Sequence, residues 1–505
     1  MTEDSYENKA VSGAKWSFLT KIAAKAVTPI TFIILALILS PEDFGIVAIT
    51  TVFVKLADIF WNAGMSQTIV QKESDDIRTS ANFAFFANII LAVIVYTVLF
   101  FTADLVAVFY KDPRLTVVLQ IQAIKILIKS LSGVQFALLR RNLQFRTIFH
   151  IKIFTTTLPS IVISIPLALL GFGYWALVLG QLFGSFLELV LVWFKSNWRP
   201  SFEFNPQEHK ELIRFGSWLT LEFLLSWLTR SVDIFIISYY LDLSTVGLYQ
   251  IAKKLLTNLF EIIFKSTKPV WFSLFSRIQS DFVKVTRVFL KLNKFFTMMA
   301  LPMGIGLFLT SDLIVATLFN DEWIGMGIIL GLLGLSRGFY NSFFAVNPSV
   351  YRALNHPEIQ PKLLLIKLFI RIPMYIITVS ISLELFLYSI VIERLVMNFL
   401  LHSYYTHKVL KINPFRRLID LKYIGLSSVI MILCVMFTRM VTDSLNDYLN
   451  LPIVLTIGVA SYFLTLYPFE KTFMKQIKEL LLNNKRRPPK KRTKQQILEE
   501  TTDYE

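Results

Sequence analysis

The sequence predicts an all-α polytopic membrane protein of about fourteen transmembrane helices, built as two related halves. Three observations carry that expectation: an apolar composition, regularly spaced apolar runs, and short matches between the two halves at a nearly constant offset. Of the 505 residues, 54% are hydrophobic and only 17% are charged, and the mean hydropathy is +0.58. A soluble chain of this length carries far more charge. The net charge of +16 does not point to nucleic acid, because the cations lie in short loops between apolar runs and in the tail.

Runs of the roughly 20 apolar residues that cross a bilayer fall near 14–39, 44–66, 81–103, 115–139, 148–170, 173–195 and 212–239 in the first part of the chain. They continue near 246–270, 287–310, 323–347, 361–383, 385–408, 421–441 and 449–468. Lys125 and Lys129 weaken the run 115–139. The opening MTEDSYENKA is polar and acidic, unlike a cleavable signal peptide, so the first run reads as an uncleaved anchor. Loop charge sets the orientation. RRNLQFR at 140–146, KSNWRP at 195–200 and KINPFRRLIDLK at 411–422 alternate with SPED at 40–43 and NDEW at 320–323. Positive loops stay inside, which puts both termini in the cytoplasm. The segment KRRPPKKRTK at 485–494 suits anionic membrane lipid. The single cysteine, Cys434, excludes an intrachain disulfide framework.

An internal duplication organises these runs. LSPEDFG at 39–45 matches LDLSTVG at 241–247 at an offset of 202, which also sets Trp16 opposite Trp218. FTADLVAVFYKD at 101–112 resembles LTSDLIVATLFND at 309–321, and RRNL at 140–143 falls against YRAL at 351–354. Six spans per copy is an even number, so both copies enter the membrane in the same sense. They are expected to be related by an axis along the membrane normal, with any substrate held between them. The expected division is a cytoplasmic N-terminus 1–13, an N-lobe 14–200, a C-lobe 201–410, two further helices within 411–470, and a basic cytoplasmic tail 471–505.

Charge inside the spans is the functional signal. A charge near the bilayer centre costs a few kcal/mol unless it faces water, a partner or a polar substrate. On the run 212–239, Glu222, Ser226, Arg230 and Asp233 share one helical face; on 246–270, Gln250, Lys254, Thr257, Glu261, Lys265 and Lys268 do the same. Two facing polar stripes are the expected walls of a water-filled cavity. Internal salt bridges with lysines snorkelling to the interface are the plainer alternative. By depth, Lys25 and Lys55 in the first two runs and Arg230 and Lys254 in the seventh and eighth converge at the midplane between the halves. Lys21 lies one turn nearer the cytoplasm, as a snorkelling or an entry residue. Such a belt suits a polyanionic head group, with Lys as a point charge and Arg as a fork for phosphate oxygens. Asp58, Asp233, Glu222 and Glu261 either balance charge or bind a coupling proton or sodium ion.

Other charges in the spans, Glu188, Arg337, Lys367, Arg371, Glu393 and Arg394, read as structural pairs or lateral-portal residues. Trp198 and Trp323 near span ends read as interfacial anchors. Helix breaks are expected at Pro159, Pro166, Pro302, Pro348 and Pro373, and at Pro29 as a hinge. Catalytic signatures are not found: there is no phosphate-cradling glycine loop, no HExxH and no paired-cysteine site, and the five histidines are scattered. No loop is long enough to fold alone. No enzyme activity, metal, cofactor or nucleic-acid partner is expected.

The segments FALLRRNLQFR at 136–146, GFGYWALVLGQ at 171–181, SNWRP at 196–200, FG at 215–216 and VGLYQIAKKL at 246–255 together resemble the Wzx-type polysaccharide flippases. These belong to the multidrug/oligosaccharidyl-lipid/polysaccharide exporter superfamily, and the likeness is to its colanic-acid and teichuronic-acid exporter branch. It covers roughly residues 10 to 470. It implies two six-helix lobes forming a V-shaped central cavity, plus two C-terminal helices. It further implies flipping of undecaprenyl-diphosphate-linked oligosaccharide units between the leaflets of a bacterial cytoplasmic (inner) membrane, with a polysaccharide polymerase or export complex as a partner. A cation-lined cavity is a feature of such flippases, and Lys21, Lys25, Lys55, Arg230 and Lys254 match it by depth. A lipid II flippase or a drug–cation antiporter of the same superfamily is the alternative, and a membrane polysaccharide polymerase a more distant one.

Overall fold

A computed structural model of the chain describes residues 29–62, 64–71, 77–203, 206–264, 268–413 and 418–483. Among these, every regular element is a helix. Most of the first expected span, with Lys21 and Lys25, lies outside the described residues, as do Lys265 and the basic segment 485–494; residues 29–36 are helical. The first half continues with α1 (Pro41–Asn62), α2 (Ile77–Phe109), α3 (Arg114–Ser130), α4 (Phe145–Leu169) and α5 (Tyr174–Lys195). The second contains α6 (Pro206–Tyr240), α7 (Leu243–Phe264), α8 (Phe282–Leu318), α9 (Met326–Phe344), α10 (Ile359–Val379) and α11 (Leu383–Leu410). Two more helices follow, α12 (Lys422–Thr442) and α13 (Asp447–Asn483).

Nine of the described helices are long and apolar enough to cross a membrane, or ten if α3 and the helix Gly133–Arg141, bent from it by 43°, form one span. Three others, α6, α7 and α10, have spanning length (35, 22 and 21 residues). Their charges keep them out of that count, and many of those charges face the interior. The outside is apolar instead. Phe101, Val108, Phe369 and Met440 are 74 to 80% exposed, which suits lipid and would be untenable in water on this scale.

The duplication is visible in the way the two halves meet. Ser40 caps α1 and Asp43 reaches back to it: the Ser40 amide and hydroxyl both donate to Asp43 Oδ2, and the Asp43 amide donates to Ser40 Oγ. Pro41 fills the first helical position, where its missing N–H costs nothing. At the equivalent place in the second half Asp242 caps α7, accepting from the Thr245 amide at 2.6 Å and its hydroxyl at 3.1 Å. The two capped helix starts then cross. A β-carbon on Gly45 would collide with the Leu243 carbonyl, and one on Gly247 would collide with the Pro41 carbonyl. Gly45 and Gly247 are 202 residues apart, and so are Pro41 and Leu243. The contact is therefore isologous, the kind made across a two-fold axis. Only glycine admits backbones this close.

Aromatic side chains surround the crossing. Phe44 meets Trp323 edge-on with ring centroids 5.4 Å apart, and Phe319 and Phe32 pack on either side. Trp323, expected as an interfacial anchor, is instead fully buried in this cluster. Its place after a span end misled, because that end packs against the other half rather than against head groups. Trp198 is half-buried against Phe85.

Prolines bend the helices less often than expected. Pro159 and Pro166 bracket a wide π-type turn, Ser160–Ser164, in α4, which re-pairs the amides that proline disturbs. Pro302 and Pro373 lie inside α8 and α10, which run on through them. Within the second half α8 and α9 touch where Gly304 faces Gly338. The C-terminal pair leans on α8: the Tyr462 hydroxyl donates to the Met298 carbonyl at 2.9 Å, and Lys294 pairs with Glu470 at 2.6 Å where α13 kinks.

The crossing sets a stability test. Gly45→Ala and Gly247→Ala should each lower the thermal midpoint of the detergent-purified protein, since overpacking costs about 1–3 kcal/mol. Gly306→Ala, where a β-carbon meets nothing within 4 Å, should leave it unchanged. Equal midpoints for all three would remove the crossing from the fold's foundations.

Candidate functional site

Beyond the crossing the halves part around a cavity of about 1490 Å³. One wall comes from α1, α3, α4 and α5, the other from α6, α7, α9, α10 and α11. Among the described residues its lining holds eleven basic side chains and four acidic ones. Apolar helices cannot carry such an excess against lipid, so the cavity is polar and reached by water.

Carboxylates neutralise some of these cations. On the first wall, Lys129 of α3 pairs with Asp58 of α1 at 2.7 Å, and the Trp61 indole donates to the same carboxylate at 2.9 Å. Lys152 of α4 pairs with Glu188 of α5 at 2.6 Å. On the second wall, Lys253 of α7 donates to both oxygens of Asp233 on α6, at 2.7 and 2.6 Å. The Tyr249 hydroxyl adds a third bond to Asp233 at 2.7 Å, and Lys253 also donates to the Arg230 carbonyl at 2.8 Å. Arg371 of α10 pairs with Glu393 of α11 at 3.0 Å and donates to the Thr229 carbonyl at 2.9 Å.

Other lining cations have no ion-pair partner among the described residues. Lys55 is exposed to the cavity. Lys254 places its ammonium 3.2 Å from the centroid of the Phe32 ring, a cation–π contact that holds the charge without neutralising it. Arg230 is exposed into the cavity, while Lys125 reaches Gln181 Oε1 at 3.4 Å. Arg337 donates to the Thr257 hydroxyl at 2.7 Å, Arg394 to the Ser336 hydroxyl at 2.8 Å, and Lys367 lies 3.2 Å from His402 Nε2.

Of the residues singled out from sequence, Lys55, Arg230 and Lys254 are thus brought together on one cavity, with Glu222 and Glu261 on its wall. Asp233 also borders it but is buried and fully engaged, and Asp58 is engaged by Lys129. Both aspartates sit in ion pairs. Sequence reasoning passed over Lys125, Lys129, Lys152 and Lys253, although the first two were visible as lysines interrupting an apolar run. Among the later charges, Glu188, Arg371 and Glu393 do form structural pairs. Arg337, Lys367 and Arg394 line the cavity without a carboxylate.

The buried Lys253–Asp233 pair yields a stability prediction. Removing one partner leaves the other charge bare, at about 3–5 kcal/mol. Asp233→Asn should therefore unfold far below the native thermal midpoint, and the double change Asp233→Leu with Lys253→Met should recover most of the loss. A double variant no better than the single would show that the pair contributes more than charge compensation.

Residues 34–327 match the family model described as polysaccharide biosynthesis protein. The chain is 30% identical over 324 residues to the succinoglycan biosynthesis transport protein ExoT of Rhizobium meliloti, covering 64% of this chain and 65% of that one. It is 25% identical over 388 residues to the lipopolysaccharide biosynthesis protein WzxC of Escherichia coli, covering 74% and 76%. The teichuronic acid biosynthesis protein TuaB of Bacillus subtilis is 22% identical over 333 residues, covering 66% and 68%. In fold, the chain is similar to the lipid II flippase MurJ in an inward closed conformation, with a TM-score of 0.73 at 18% identity over 92% of this chain and 100% of that one. A multidrug resistance MATE transporter in an inward-facing conformation follows at 0.61, with 14% identity over 78% and 95%. The chain shares its fold with both of these structures.

Proposed function

Because the chain belongs to the polysaccharide biosynthesis protein family, we propose that it flips undecaprenyl-diphosphate-linked oligosaccharide units from the cytoplasmic to the outer leaflet. The observation that supports this most directly is the cavity itself: about 1490 Å³ between two halves, lined among the described residues by eleven cations. A diphosphate is held by the cations that lack carboxylate partners, among them Lys55, Arg230 and Lys254, with Lys21 and Lys25 as further candidates from the undescribed first span. Asp58 and Asp233 balance charge. Glu222 and Glu261, nearer the inner end, temper the field at the entry. The polar glycan occupies the wet cavity, and the lipid tail remains in the bilayer through a gap between the halves.

Rocking of the halves about the crossing exposes the cavity to each leaflet in turn. The alternation of basic and acidic loops supports both termini in the cytoplasm of a bacterial inner membrane, so the crossing closes the outer side. The product then lies where a polysaccharide polymerase or export complex can take it up. A drug–cation antiporter fits poorly, since a lining with this excess of positive charge repels cationic drugs.

The test is made in cells that depend on this chain for surface polysaccharide. Lys25→Ala, Lys55→Ala, Arg230→Ala and Lys254→Ala are compared at equal membrane abundance. Each should cut surface glycan by roughly tenfold, the scale of one charge-assisted contact, while lipid-linked intermediate accumulates inside. Normal export by all four would remove the cation belt from the transport cycle.

A further inference from the structure

Away from the cavity, a basic stripe runs along the start of α8. Lys284, Arg287 and Lys291 are spaced by three and four residues, so they share one helix face, and all three are exposed. Val285 and Phe289, on the far side of the same turns, are fully buried. Phe282 and Val283, in the turn that opens the helix, are 46% and 65% exposed. Asp281 serves as the helix cap, accepting from the Lys284 amide at 2.9 Å, and Glu470 is taken by Lys294. Among the described residues no carboxylate pairs with the three cations of the stripe.

The duplication does not account for this stripe. In the register that aligns Asp104 with Asp312, the matching positions of the first half are Asp76, Thr79 and Phe83. Nor does a lipid surface. Between Lys294 and Asp312 the sequence of α8 holds no charge, so the hydrocarbon begins near Lys294. Lys284 lies about 15 Å further along the axis, past a head-group layer about 5–8 Å deep. The stripe leaves the membrane and enters water, with two exposed apolar side chains at its tip.

An acidic segment with an apolar start fits such a surface, and the chain supplies one. Residues 497–505, ILEETTDYE, hold Glu499, Glu500, Asp503 and Glu505 and no cation; they lie outside the described residues. The Lys294–Glu470 pair ties α13 to α8, and Lys294 also lies 5.4 Å from the centroid of the Phe473 ring. From that tie, the stretches to Asn483 and to Lys284 are each about 15–20 Å of helix. Residues 484–496 extend to about 45 Å, which is enough to bring 497–505 back to the stripe. The intervening KRRPPKKRTK is drawn to anionic lipid, and the same lipid repels the acidic end.

We propose that residues 497–505 dock on the start of α8, with their carboxylates on Lys284, Arg287 and Lys291 and with Ile497 and Leu498 against Phe282 and Val283. The docked segment straps α13 to the free end of α8 and covers a surface that would otherwise take an acidic partner. Exposed ion pairs are individually weak and are screened by salt. The contact therefore draws on several at once and on the tether, which keeps the segment at high effective concentration. The strap is independent of what the cavity carries.

Carbodiimide, which joins carboxylates to lysines in contact, tests this on the full-length protein in phosphatidylglycerol nanodiscs. Peptide mapping should find the carboxylates of 499–505 joined to Lys284 or Lys291. Raising salt from about 0.05 M to about 0.5 M should cut those links roughly fivefold. The triple change Lys284→Glu, Arg287→Glu and Lys291→Glu should abolish them, and adding Glu499→Lys, Glu500→Lys and Asp503→Lys should restore links of reversed polarity. Links confined to Lys490, Lys491 and Lys494, or a charge swap that restores nothing, would overturn the strap. A second measurement needs no charge reversal. Deleting residues 497–505 should speed acetylation of Lys284 and Lys291 roughly threefold, because the tethered segment masks them most of the time. Protection that survives the deletion and disappears only in uncharged phosphatidylcholine nanodiscs would give the stripe to anionic lipid instead.

Discussion

Hydrocarbon offers nothing to solvate an ion, and the position of every charge in this structure follows from that. A bare charge at mid-membrane costs several kcal/mol, so each charged side chain in a span must find a carboxylate, a ring face, a hydroxyl or water. Lys129, Lys152, Lys253 and Arg371 find carboxylates, Lys254 finds Phe32, and Arg337 and Arg394 find hydroxyls. All of these lie on walls that face inward. The faces left over carry exposed Phe, Leu, Val and Met. The wet cavity therefore defines which side of each helix points in, more strictly than apolar packing could.

Close packing is then left to small residues. Lipid is as apolar as leucine, so helices in a membrane gain little by hiding leucine from it. They gain by approaching closely, as α1 and α7 do at Gly45 and Gly247 and as α8 and α9 do at Gly304 and Gly338. The first contact joins the halves and the second stiffens one of them.

The helices were legible because their signal is long and redundant: apolar runs from 44–66 to 449–468 each meet a helix, although α8 runs on to Leu318 and α13 to Asn483, past the expected ends at 310 and 468. The duplication was legible because capping and close approach need particular residues, so Ser40, Gly45, Asp242 and Gly247 stand out even in an apolar chain. The cavity was half legible. Depth along a helix gave Lys55, Arg230 and Lys254, but depth says nothing about azimuth, so Lys253 was passed over beside Lys254. Partners distant in sequence were hidden for the same reason. Nothing near Asp58 announces Lys129, and nothing near Arg371 announces Glu393. Trp323 shows the opposite failure, a residue whose local context suggested head groups while the other half of the protein supplied its surroundings.

The crossing at Gly45 and Gly247 also carries history. A contact in which each half presents the same two positions to the other is the one that two identical six-helix chains make when they dimerise about an axis. Joining such chains end to end leaves the axial contact unchanged while freeing every position off the axis to differ. Among the described residues the basic groups of the first wall are lysines, while the second wall adds Arg230, Arg337, Arg371 and Arg394 to its own lysines. A symmetric homodimer presents the same side chains to both ends of its cargo; a fused pair can present different ones.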